Sequence, residues 1–131
     1  MKRNHLCSLT MIGALLLATA HGQEDRCNRP WPVQLPEAAP ADKEQMLELQ
    51  TSVKDYMARA NDYLACNEEV VTEIRADAVD LEDAVALDEA EQQIRVWVSR
   101  YNNTVDEMHA VGERFNALVR EYKGIEAEGE G

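Results

Sequence analysis

The chain has 131 residues, 25 acids against 13 Lys and Arg, and a net charge of −12 at pH 7. That length leaves room for one domain, and that charge repels phosphate backbones and anionic lipid surfaces, which argues against nucleic acid and membranes as partners. Cationic proteins, basic peptides or divalent cations suit it better, although acidity also serves simply to keep a helical protein soluble.

Residues 1–20 read as a secretory signal peptide. Lys2 and Arg3 form a positive start, Leu6 to Leu17 an apolar run too short to span a membrane, and Ala18-Thr19-Ala20 a small-residue cleavage site. Cutting after Gly22 fits nearly as well. Cys27 follows Glu24-Asp25-Arg26 rather than an apolar stretch, so no lipid anchor is expected. The expected location is periplasmic or secreted, with no membrane association after cleavage. The segment removes Lys2 and Arg3 and no acid, so the mature charge falls to −14.

Cleavage also removes Cys7, leaving Cys27 and Cys66. An even count in a small exported chain predicts a disulfide, and the spacing excludes C-x-x-C redox and zinc patterns. Closing a loop of this length stabilises a fold by roughly 4 kcal/mol in the chain-entropy treatment.

Residues 21–40 change character, for all four prolines (Pro30, Pro32, Pro36 and Pro40) lie here. Proline fixes φ and lacks an N–H, which predicts an extended strap. Trp31, Val33 and Leu35 alternate along it and are expected to lie over the helices.

A first helix is predicted over about 41–77, with Asp42 as its N-cap and Glu44 in its first turn. Its apolar seam runs Met46, Leu49, Val53, Tyr56, then Ala60, Tyr63, Val70, Ile74, with Leu47, Met57, Leu64 and Val71 widening one flank. Asn67 is the polar member, placed either to fix register as buried asparagines do or where the seam turns outward. Ala41 to Cys66 is about 37 Å of helix, and Ala41 back to Cys27 is roughly 43 Å of extended chain. The strap can therefore run antiparallel to the first helix and be stapled near its far end.

Acids punctuate 78–87, where the turn is expected, with Asp83 or Asp88 as the next cap. A second helix over about 88–123 carries the longest seam. Leu87, Ala90, Ile94, Trp97, Tyr101, Thr104 are followed by Met108, Val111, Phe115, Leu118, Tyr122, Ile125, a 3-4 spacing of the coiled-coil kind. Gly124 is the expected C-cap, and 125–131 an acidic tail that frays. The fold predicted is all-α, a long antiparallel two-helix hairpin (41–124) with a Pro-rich strap held by a disulfide. A lone pair of such helices leaves apolar stripe exposed, which the strap covers or a homodimer shares.

No catalytic or cofactor site assembles. Asp106, His109 and Glu113 have a carboxylate-x-x-His spacing, but with Met108 and Val111 on the seam they point outward, whereas di-iron ligands point inward. Met108 and His109 diverge by about 100° on a helix, so one haem iron cannot take both. The acids between Glu68 and Glu91 lack the spacing and turn glycine of an EF-hand, leaving at most weak divalent-cation binding. Ser52, Ser99 and His109 form no nucleophile elbow, and Thr104 of the Asn102-Asn103-Thr104 sequon falls on the seam.

Cys27-Asn28-Arg29-Pro30, Met46-x3-Gln50-x2-Val53-x2-Tyr56 and Tyr63-Leu64-x-Cys66 together resemble a family of small, uncharacterised exported bacterial proteins over about residues 27–120. The resemblance implies a periplasmic helical hairpin and carries no catalytic residue. The expectation for function is a non-enzymatic protein without cofactors that acts by binding a protein partner or as a structural component. A holdase-like chaperone or assembly factor is one alternative, and a weak divalent-cation-binding protein acting through its acidic turn is another.

Overall fold

The computed structural model describes residues 26–129. The expected signal peptide, residues 21–25 of the strap and the last two residues of the tail lie outside the described residues. Two helices, α1 (Lys43–Ala78) and α2 (Ala84–Gly129), pack against each other as an antiparallel hairpin, with no strand among the described residues. An extended segment precedes them, and Cys27 is bonded to Cys66, with 5.8 Å between their Cα atoms.

Local chemistry sets the helix starts. Asp42, in an extended conformation, accepts hydrogen bonds from the backbone N–H groups of Glu44 (2.6 Å) and Gln45 (3.2 Å), satisfying two donors that helix geometry leaves open. Asp83 starts α2, its carboxylate accepting from Val85 N–H at 3.3 Å and its carbonyl from Leu87 N–H at 3.0 Å. The turn is thus 79–83, shorter than the expected 78–87, and α2 begins at Ala84 instead of 88. Ala84, Val85, Ala86 and Leu87 have no breaker among them, so the Asp83 cap launches the helix at once. At the other end the helix passes through Gly124 to Gly129 in place of ending at 123. No glycine here adopts a positive φ, and the Tyr122 hydroxyl reaches Glu126 at 2.7 Å across the extra turn.

The seam divides by depth. On α2, every seventh residue from Ala90 through Trp97, Thr104 and Val111 to Leu118 is buried. The alternate set, Ile94, Tyr101, Met108, Phe115 and Tyr122, is only half-buried, and Leu87 and Ile125 at the seam's ends are exposed. On α1, Met46, Val53, Tyr56, Ala60, Tyr63, Leu64, Val70 and Val71 are buried, while Leu49 and Ile74 are half-buried. One cluster gathers Cys27, Tyr63, Val70, Val71 and Trp97, another Val53, Tyr56, Ala60 and Val111. Two polar residues also occupy the buried seam. Asn67 is 1% exposed and donates from Nδ2 to the Tyr63 carbonyl at 2.7 Å. Thr104 donates to the Arg100 carbonyl at 3.0 Å. Of the two readings of Asn67, the inward one is correct.

Candidate interaction surface

A helix pair has two long grooves, and the strap fills one. From the Cys27–Cys66 bond the strap descends between the helices toward Asp42. Arg26 pairs with Glu73 at 2.5 Å on α1, and Arg29 pairs with Glu107 on α2. Arg114 donates to the carbonyls of Pro36, at 2.8 Å, and Glu37, and Glu121 accepts from Ala39 N–H at 3.0 Å. Val33 and Leu35 pack on the Val53–Tyr56–Ala60–Val111 cluster. Glu107, Arg114 and Glu121 are seven residues apart, so one stripe of α2 holds the whole descent. That stripe was legible only as spacing; nothing local marks it as a clasp.

Two expectations about the strap need correction. Trp31 does not pack on the helices: it is 89% exposed, beside Arg59 and Asp62. Val33 and Leu35, two residues apart, do share the inward face, so the alternation holds for those two and ends before Trp31. The staple also falls short of the far end of α1. Ala78 lies twelve residues beyond Cys66, about 18 Å of helix.

Beneath the strap, the Tyr56 hydroxyl and one oxygen of Glu107 are buried without hydrogen-bond partners. Burial, reinforced by the Glu107 charge, pushes the Tyr56 phenol above its ordinary range, and Arg29 opposes this.

The other groove is open. On α1 it is edged by Met57, Leu64 and Val71, and on α2 by Val98, Val105 and Gly112, each set spaced by seven. One section, of about 510 Å³, lies between Val71, Arg75, Val98 and Tyr101. A second, of about 400 Å³, lies between Met57, Leu64, Met108 and Gly112. Asn67 lines the first, and its Oδ1 is buried without a partner. Tyr101 lies at this groove, where a hydrogen bond to Glu68, then that carboxylate's charge, raises its phenol pKa. A Cβ on Gly112 would meet only the end of Met57, at 3.8 Å, so the wall dips there. The α1 edge is the flank that widens the sequence stripe. The α2 edge lies one residue past Trp97, Thr104 and Val111, a position the 3-4 seam does not include.

Apolar side chains also crowd the hairpin tip, where Val79 is 80% exposed and Val85 65% exposed. Asp106, His109 and Glu113 face solvent. Among the described residues no three His, Cys, Asp or Glu gather to hold a metal ion. No helix among them is long and apolar enough to cross a membrane. Compared with known proteins, the chain matches no family model, no curated protein and no solved structure.

Proposed function

We propose that this chain is a non-enzymatic exported protein, periplasmic or secreted, that works by binding another protein through its open groove. The observation that carries this is the asymmetry of the hairpin: the strap covers one groove, while the other is left uncovered, with two sections of about 510 and 400 Å³ between its apolar columns. An uncovered groove with apolar walls between two helices is a place for a partner to dock. The paired cysteines at Cys27 and Cys66 and the leader-like residues 1–20 support an oxidising, exported setting.

A photo-crosslinking amino acid placed at Asn102, beside the open groove, and separately at Asn103, one turn before Glu107 on the strap side of α2, tests this in the exporting host. An adduct of defined mass from 102 and none from 103 is the expected result. Equal or absent adducts at both positions would sink the reading. The exposed tip around Val79 and Val85 favours a holdase-like second reading, for which the adducts from 102 would spread over many client masses.

A further inference from the structure

Charge and spacing say what fills the open groove. On α1 the columns facing it, Leu47 to Arg75 and Gln50 to Ala78 taken every seventh residue, hold one acid, Glu68. On α2 the three columns facing it, within Ile94 to Lys123, hold none and include Arg95 and Lys123, and Glu113 lines the groove from the column beside them. The outer column of α1 on the strap side reads Glu48, Asp55, Asp62, Glu69. In a chain of net charge −12, this strip holds two acids, Glu68 and Glu113, against Lys54, Arg75, Arg95 and Lys123. A basic partner would be met by an excess of acids around the groove, and here bases outnumber them. Two copies of an acidic chain repel each other in solution, and they can pack closely only through a strip of this kind.

The seven-residue repeat points the same way. Side chains recurring every seven residues on a straight helix pair pack best against helices of matching repeat, crossing at about 20°. A second hairpin brings two such helices at once. From Trp97 to Asn116 the groove is about 28 Å long at 1.5 Å per residue. With a width of roughly 20 Å for two adjacent helices, each copy offers on the order of 560 Å², so two copies clear the roughly 1,000 Å² a specific interface needs. The dip at Gly112 leaves room for a facing side chain.

We propose that the occupant is a second copy of this chain: two hairpins join open groove to open groove about a two-fold axis, giving a four-helix bundle with a strap on each outer face. This names the partner within the binding role proposed above and rests on it. Leu64 and Val105 lie midway along the groove, so near the axis each meets its own counterpart. An acid introduced beside them sets like charges against each other.

The test is sedimentation equilibrium of the oxidised chain as the exporting host processes it, alongside Asn102→Glu and Asn103→Glu. Both positions are exposed, so neither variant disturbs the core, and unchanged helical circular dichroism verifies folding. The expected result is a dimer whose Kd rises about tenfold or more in Asn102→Glu and does not move in Asn103→Glu. A monomer at every concentration, or equal effects of the two variants, overturns the second copy. If the pure chain is monomeric yet position 102 crosslinks to a protein of another mass, the binding role stands and only the dimer falls. If neither association nor adduct is found, both fall.

Discussion

The covered and open grooves of the hairpin are built from the same backbone and nearly the same apolar content, yet they are finished differently. On the covered side, Glu107, Arg114 and Glu121 reach out at seven-residue intervals and tie down the strap through charge and backbone hydrogen bonds. On the open side the matching stripe of α2 reads Val98, Val105, Gly112, Val119, with nothing polar to grip an extended chain. An extended strap brings its own unpaired N–H and C=O groups and needs polar partners for them. A helix brings none, because its backbone is already paired. The covered groove thus carries polar partners for an extended chain that the matching stripe of the open groove lacks.

Cutting the covalent hold on the covered side is the sharpest way to break this comparison. Replacing Cys27 and Cys66 by Ala is expected to lower unfolding stability by about 4 kcal/mol and to expose the strap to proteolysis within residues 26–42. Denaturant unfolding with and without reductant measures the first, and mass spectrometry of the nicks the second. A variant as stable as the parent would mean the strap contributes little beyond its side-chain ties.

Side-chain truncation sharpens the contrast. Leu35→Ala, beneath the strap, is expected to cost about 1–2 kcal/mol, less than a fully buried leucine because Leu35 is half-buried. Val98→Ala, on the open side and 40% exposed, is expected to cost less than about 0.5 kcal/mol in dilute protein. Its cost should grow with protein concentration where association buries it. Concentration-independent unfolding of both variants and parent would erase the distinction.

The smallest effect is a titration. Tyr101 is held protonated by its hydrogen bond to Glu68, so its phenol ionises above the ordinary tyrosine range near 10. A raised pKa in the folded state gives a contribution fully present below that range and lost as pH rises through the shifted value. Glu68→Gln removes the charge, and the ultraviolet phenolate signal of Tyr101 should then move to lower pH. An unmoved titration would show that Glu68 does not act on it.

The helix pair was legible in the sequence because burial of one face leaves a 3-4 rhythm in residue type. Asp42 read correctly as a cap for the same local reason: its side chain needs only the N–H groups two and three residues on. Alternation read correctly for Val33 and Leu35, which share one face, and failed at Trp31, which stands clear of the helices beside Arg59 and Asp62. The early start of α2 was hidden by its acids, which mark solvent exposure as readily as a turn. Which groove the strap takes was not legible. That choice rests on Arg29 with Glu107 and on Arg114 with the Pro36 and Glu37 carbonyls, exposed residues far apart in the chain that leave no pattern near either partner. Cys27 and Cys66 could be paired by reach, but reach along one helix does not say on which side of it the strap returns.

The placement of the staple has a mechanical consequence. Tension applied to the chain before Cys27 passes through the sulfur–sulfur bond into α1 at Cys66, two-thirds of the way along the helix. The strap and the stretch of α1 from Lys43 to Cys66 form a closed loop outside that covalent path, loaded only through its ties to α2. A pull between this end and the end of α2 would therefore stretch the tip-side part of the hairpin along the covalent path and shear α2 against the looped part, which cannot lengthen.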